Sequence, residues 1–382
     1  MGGEKYMKEP KLRFKADDGS DFPDWEEKKL GDMFSISAGG DIDKNNSSKE
    51  KSCSYPYPVY ANALMNDGLY GYANYFKVDG DTFTVTGRGD VGYAVARHCK
   101  YVPIVRLLVC RPKENDNVDF FAEQVNCARI FIESTGVPQL TAPQLAVIKL
   151  LRPSLPEQQK IADFLSTIDT VIEKQQATVS AWEERKKGVM QKLFSQEVRF
   201  KADDGSDFPE LEAKSLFDIC EYKNKQSVGK NYVGTENMKQ NFSGLESLDE
   251  ETEMKGVCYC KGDTLMSNIR PYLRKTWKAD REGVCSTDVL VFHPIDVVSE
   301  YLHYLIASDK FISYVMTGVK GVKMPRGDKE HMMKFSIMVP SLPEQQKIAD
   351  CLSALDAVIE KQKETLEKWQ ELKKGLLQQM FV

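Results

Sequence analysis

PSLPEQQKIAD stands at residues 153–163, and the same eleven letters return at residues 340–350. Each copy reads as the entry to a helix. Ser154 or Ser341 is placed to cap, Pro156 or Pro343 suits the first turn, and Glu157 or Glu344 completes a capping box. Beyond the entry the seam positions step by four and three: Ile161, Leu165, Ile168, Ile172, Gln175, Val179, Trp182, Lys186, Val189 and Leu193. The second copy runs Ile348, Leu352, Leu355, Ile359, Gln362, Leu366, Trp369, Lys373, Leu376 and Met380, with the polar residues at the same two points. This spacing predicts two helices, over 156–194 and 343–381, each roughly 58 Å long at 1.5 Å per residue. The heptad seam is that of a coiled coil, in which a polar seam residue sets register and orientation. Matching seams within one chain predict that the helices pair with each other, antiparallel, rather than each packing only on its own domain.

A second repeat places these helices in a larger plan. RFKADDGSDFP occupies residues 13–23 and again 199–209, so the chain is written twice. The expected layout is a tail and first signature at 1–23, a body at 24–152, a first helical spacer at 153–197, the second signature at 198–209, a second body at 210–339 and a second spacer at 340–382. An internal pseudo-two-fold of this kind suits a target that itself has two halves.

Composition narrows the class. With 382 residues, 41% hydrophobic and 29% charged, the chain has the make-up of a globular protein with two or three domains. No apolar run approaches the ~18 residues of a membrane span, and the first residues are polar, so a cytoplasmic protein without membrane contact is expected. Nine scattered cysteines read as reduced thiols; Cys258 and Cys260 form a CxC without a second pair, and the four histidines lack ligand spacing, so no metal site is expected. The net charge of −5 argues against nonspecific coating of nucleic acid, which wants a basic chain. Local charge differs: basic residues cluster at 84–113, 261–281 and 318–334.

The bodies share a skeleton. Gly80-Asp81-Thr82 matches Gly262-Asp263-Thr264, and the same offset carries Arg88 onto Arg270, Val109 onto Val291 and Thr135-Gly136-Val137 onto Thr317-Gly318-Val319. Strands are predicted at 57–60, 82–85, 105–110, 145–150 and 289–292, and helices at 119–132 and 299–316. The fold class is therefore α+β: two mixed α/β domains and two long helices forming an antiparallel coiled coil. Between matching strands the loops differ, VTGRGDVGYA at 85–94 against MSNIRPYLRK at 266–275, as one scaffold carrying two recognition surfaces would. Arg pairs bidentately with guanine, and Asn or Gln with adenine. Arg88, Asn268 and Arg270, with Tyr272 and Arg274 beside them, are the candidate DNA-reading residues. Lys320, Lys323 and Arg326 in a Gly-bearing stretch suit phosphate. The first body has GVPQLTAPQ at 136–144 instead of that stretch, so its phosphate contacts are expected from the 88–113 region.

No catalytic set emerges. Gly229-Lys230 is followed by Asn231 and fails as a P-loop; there is no GxGxxG and no Asp/Asn-Pro-Pro-aromatic tetrapeptide. Pro23-Asp24 with Glu26 and Lys28 faintly suggests a nuclease carboxylate–lysine motif, but its partial repetition as PELEAK at 209–214 better suits a structural lead-in.

The doubled PSLPEQQKIAD, with GDTLMSNIRPYL, TGVKGVKMPR and YPVYANALMNDGLYGY, resembles the specificity subunits of bacterial type I restriction-modification systems, from about Arg13 onward. The resemblance implies two target recognition domains, each reading half of a split site on double-stranded DNA, and helices acting as a ruler between them. It implies partners: two methyltransferase subunits carrying S-adenosylmethionine and motor-nuclease subunits using ATP and magnesium. This chain would hold no cofactor and no catalytic residue. A specificity subunit whose partner fuses methylation and cleavage fits the same residues. A fused enzyme is disfavoured by the missing motifs, and a coiled-coil scaffold without DNA binding by the basic loops.

Overall fold

The computed structural model describes residues 10–128, 139–242, 244–246, 248, 250–321 and 323–381. The chain divides into two compact units, Met1–Gln175 with Thr365–Val382, and Gln176–Glu364. Each unit thus holds one α/β body together with half of each long helix.

In the first unit four antiparallel strands run in the order Phe34–Ala38, Leu108–Pro112, Thr82–Val85, Ala94–Arg97. Thr82–Val85 is buried along its whole length, Phe83 facing Cys110 and Thr84 facing both Val95 and Val109 across the sheet. Its threonines are satisfied in place: Thr82 Oγ1 lies 2.9 Å from the Tyr101 hydroxyl. Helix Val118–Cys127, capped by Asn117, packs on this sheet and places Phe120 and Phe121 in a core with Phe34 and Phe83. A smaller sheet orders Ser47–Ser48, Leu69–Ala73, Tyr57–Tyr60 and Val102–Pro103.

The second unit repeats the plan with Cys220–Lys223, Val289–Pro294, Thr264–Ser267 and Thr276–Lys278. A three-stranded sheet of Gln226–Gly229, Met254–Tyr259 and Gly283–Cys285 stands beside it. In each unit the lead-in after the signature is a strand. Glu26–Lys29 pairs with Lys149–Arg152, and Glu212–Ser215 with Ser336–Val339. Glu26 is bonded to Lys28 at 2.8 Å on that strand.

Four local expectations are corrected. The strand expected at 105–110 begins at Leu108, because Val105 and Arg106 take left-handed backbone (φ 55° and 58°). The strand expected at 145–150 is a helix, Ala142–Ala146, entered through a Thr141–Gln144 capping box, followed by the strand Lys149–Arg152. The helix expected at 299–316 is two, Ser299–Ile306 and Asp309–Thr317, because Ser308 caps a new start by accepting from the Phe311 N–H. The helix expected at 119–132 spans Val118–Cys127, and its positions 129–132 lie outside the described residues, as do residues 1–9 of the expected tail and Thr135-Gly136-Val137.

The long helices are Leu155–Phe194 and Leu342–Phe381, 40 residues each. Ile161, Leu165, Ile168, Val179, Ile348, Leu352, Ile359 and Leu366 are buried on the predicted seam, while Ile172, Leu355, Trp182 and Trp369 are partly covered. Within each unit the two helix segments run antiparallel. In the first unit Lys373 meets Asp169 at 2.7 Å; in the second Lys186 meets Asp356 at 2.5 Å and Lys363 meets Glu183 at 2.7 Å. The polar seam lysines thus each have a fixed acidic partner on the opposing helix.

The expected capping box does not form. The hydroxyls of Ser154 and Ser341 find no hydrogen-bond partner among the described residues; instead the Ser154 carbonyl accepts from the Glu157 and Gln158 N–H groups. Glu157 turns away to the signature, where Arg13 grips its carboxylate at 3.0 and 2.9 Å and the Trp25 indole N–H adds a bond at 3.0 Å. Arg199 grips Glu344 likewise. Gln158 accepts from the Asn117 N–H at the start of the body helix and donates to the Pro153 carbonyl; Gln345 does the same with Val298 and Pro340. Lys160 and Lys347 donate to the carbonyls of Lys15 and Lys201. The two repeats are therefore one joint, built twice: the signature and the body helix are both fastened to the first turns of the long helix.

Candidate nucleic-acid interface

In the second unit the loop after Thr264–Ser267 leaves the sheet at Asn268, whose N–H donates to the Asp288 carbonyl. A one-turn 3-10 helix, Pro271–Leu273, follows, flanked by Arg270 and Arg274 at φ 50° and 55°. The Arg270 N–H donates 2.8 Å to the Pro325 carbonyl, and the Gly327 N–H reaches the Asn268 carbonyl at 3.3 Å. Lys320 and Arg326 close a hairpin through paired backbone bonds of 2.8 and 2.9 Å. Gly321 takes φ 91° at that turn, a conformation open to glycine at no steric cost. Two loops far apart in sequence thus lie side by side, and Arg270, Tyr272, Lys320, Lys323 and Arg326 all stand on them.

The candidates differ in what their side chains do. Arg270, Tyr272 and Lys323 are exposed. Arg326 lies 3.2 Å from Asp288, with its side chain 53% exposed. Lys320 pairs with Asp328, and that contact with the His331 backbone N–H holds the Asp328 carboxyl at about 2. Arg274 is committed to Asp309 at 2.5 Å on the following helix, so it fastens the loop. Asn268 is 7% exposed beneath Gly327, and its Oδ1 has no partner among the described residues. That placement supports the loop rather than presenting an amide to a groove. Met324, half exposed between Lys323 and Pro325, stands on the same hairpin, and nothing in its spacing singled it out.

In the first unit Arg88 occupies the equivalent loop. Gly87 accepts from the Leu140 N–H at 2.9 Å, and Arg88 bridges to Gln139, so here too the post-strand loop is tied to the segment preceding the last short helix. The basic stretch around it sorts into two groups. Arg97 is buried, stacked 3.7 Å over Tyr60 and bonded to Thr84 Oγ1 and the Asp67 carbonyl, which makes it structural. Lys100 pairs with Asp79, and Lys113 donates to the Gly31 carbonyl. Arg106 and Arg111 stay exposed. Of GVPQLTAPQ, residues 136–138 lie outside the described residues.

Among the described residues no group of three or more His, Cys, Asp or Glu side chains is placed to hold a metal ion. Among them, no helix is long and apolar enough to cross a membrane.

The model of the type I restriction-modification DNA specificity domain matches twice, over residues 23–179 and 209–368. The chain belongs to the type I restriction-modification specificity-subunit family. A Mycoplasma pneumoniae protein named as type I specificity subunit S.MpnORF507P is 32% identical over 120 residues, 31% of this chain and 33% of that protein. The chain therefore spans about a third of the length of that relative. The EcoDI specificity subunit of Escherichia coli is 22% identical over 386 residues, covering 89% of this chain and 83% of that one. The crystal structure of the type I S subunit from M. genitalium shares the fold, with a TM-score of 0.60 at 15% identity over 98% of this chain and 99% of that one. As in that family, the fold here is two mixed α/β recognition domains with long helices. The loops described above are the parts of this specificity subunit in which the two domains diverge.

Proposed function

We propose that this chain is the DNA-reading subunit of a type I restriction-modification complex and recognises a bipartite site on double-stranded DNA. The target recognition domains are residues 24–152 and 210–339, and the helical spacers set the DNA length between the half-sites. The observation that carries the reading is the common loop pair. In each unit the loop after a fully buried strand is tied by backbone bonds to the segment before the last short helix, and different side chains sit on that one frame. Base edges are read by such side chains, while phosphate contacts fix register. In this account Arg270 and Tyr272 face bases in one half-site, with Lys320, Lys323 and Arg326 on the adjoining phosphates.

The chain supplies no catalytic residue. Two methyltransferase subunits would bring S-adenosylmethionine and take the target adenine out of the stack, and motor-nuclease subunits would bring ATP and magnesium. The setting is the bacterial cytoplasm, and the partners are DNA and those subunits.

Single-molecule methylome sequencing of the source bacterium, with and without this gene, tests the reading. Loss of N6-methyladenine from one split motif is expected. An unchanged methylome in cells whose methyltransferase subunit binds the purified chain overturns it. Arg270→Ala is expected to weaken recognition at one half-site and leave the other intact.

A further inference from the structure

Three loops of the first unit meet at the side chain of Asn62. Its Nδ2 donates to the Val105 carbonyl at 2.6 Å, and its Oδ1 accepts from the Gly87 N–H at 2.7 Å. Both ends of one amide are used, and each gripped residue directly precedes an arginine, Arg88 in one loop and Arg106 in the other.

The approach is close enough to dictate glycine. A Cβ on Gly87 would stand 2.8 Å from the Leu140 carbonyl oxygen and 3.3 Å from that of Arg106. A Cβ on Gly39 would lie 2.6 Å from the Pro103 carbonyl carbon. Val105 and Arg106 both adopt left-handed backbone, which is costly for a β-branched residue and persists only where the surroundings over-determine it. Here they do: the Val105 N–H donates to the Gly40 carbonyl, the Arg106 N–H to the Gly39 carbonyl, and Asn62 holds the Val105 carbonyl. The strained pair turns Val105 outward, 46% exposed, and puts Arg106 on the surface beside it. Met65, 82% exposed, tops the loop that follows Asn62.

We propose that Asn62 sets Arg88 and Arg106 side by side as the base-reading pair of the first recognition domain. The proposal rests on the DNA-binding reading above and assigns it to residues of the first half. Two guanidinium forks suit the O6 and N7 acceptors of guanine in the major groove, and the exposed Val105 next to Arg106 suits a thymine methyl. Asn62 acts through the arginines and is a positioning residue. Arg97 is buried in the fold, and Lys100 and Lys113, though exposed, are paired with Asp79 and the Gly31 carbonyl, so none of the three belongs to the pair.

The test co-expresses the full chain with its methyltransferase subunit and reads the methylated motif by single-molecule sequencing. Arg106→Ala is expected to cut methylation roughly tenfold or relax base preference, in one half of the motif only, the scale of one lost bidentate contact. Arg106→Lys is expected to keep occupancy through charge but relax the same base position. Asn62→Asp retains the acceptor for Gly87 and loses the donor to Val105, and is expected to relax the same half as Arg106→Ala. Melting temperatures of the Arg106 variants stay at the wild-type value, since the side chain is exposed. A wild-type split motif that Arg106→Ala leaves untouched, or alters equally in both halves, overturns this assignment alone. If the wild-type chain specifies no split motif, the DNA-binding reading falls and this assignment with it.

Discussion

Arg199 holds Glu344 with both prongs of its guanidinium, at 3.1 and 2.6 Å, and the carboxylate it holds is almost wholly buried. Arg13 and Glu157 form the same pair in the first unit. A buried carboxylate stripped of its partner is an uncompensated charge, which costs about 3–5 kcal/mol. Arg199→Ala is therefore expected to destabilise the second unit on that scale, measured by denaturant unfolding. Arg13→Ala is expected to cost less, because Glu157 keeps the Trp25 indole bond while residue 211, in the place of Trp25, is leucine. Equal losses in the two variants would remove Trp25 from the account. Arg199→Ala combined with Glu344→Gln is expected to recover part of the single-variant loss, since no buried charge is then left alone.

The seam lysines lead to a second prediction. Lys373 lies between Asp169 at 2.7 Å and Glu123 at 2.8 Å, tying both the opposing helix and the body helix of the first unit. Lys186 takes the same position in the second unit, where Asp356 also accepts from the Tyr304 hydroxyl at 2.7 Å. Lys373→Met leaves two carboxylates facing each other without a cation, whereas Lys186→Met leaves one carboxylate still bonded to a hydroxyl. Lys373→Met should therefore be the more damaging, by about 1–3 kcal/mol of unfolding free energy. A Lys186→Met loss equal to or larger than that of Lys373→Met would contradict this account of the seam.

The helices and their seam were legible because a heptad pattern is local and the chain states it twice. The role of Glu157 was not. A Ser-x-x-Glu pattern reads as a capping box from neighbouring letters alone, and its competitor, Arg13, lies 144 residues away. Val105 failed for a related reason: its β-branched character favours a strand, and only the ties to Gly40 and Asn62 impose the left-handed turn. At the candidate interface, charge density singles out the loops but does not separate Arg274, paired with Asp309, from Arg270, which is exposed. Asn62 carried no signal at all, since one asparagine in a loop stands out only when both ends of its amide have partners.

Met380 illustrates another long-range dependence. It is fully buried in the core that contains Phe120, and Phe381 packs its ring 5.3 Å from Phe120, while the Gln379 carbonyl accepts from the Leu12 N–H. The first body is therefore completed by residues from the far end of the chain. Met380→Ala is expected to cost about 2–5 kcal/mol, the range for a buried methionine. Hydrogen exchange should show faster opening of Val118–Cys127 and no change in Ser299–Ile306. Equal acceleration in both helices would mean that the two units do not respond separately.

The last prediction concerns acid. His303 lies on Ser299–Ile306, and its Nδ1 is buried without a partner among the described residues. Burial, aided by the nearby Lys186 ammonium, lowers its pKa from 6.5 to about 4, against the opposing pull of Asp356; Lys278 and Glu300 also act on it with opposite signs. The folded state therefore excludes a proton that the unfolded chain binds below pH 6.5. The stabilisation is complete above pH 6.5 and drains away as the pH falls toward 4, by about 3 kcal/mol over that window. His303→Leu removes the titration, so its unfolding free energy should fall less steeply between pH 6.5 and 4 than that of the wild-type chain. Denaturant titrations at pH 7, 5.5 and 4.5 measure both slopes, and identical slopes would place the acid sensitivity on other groups.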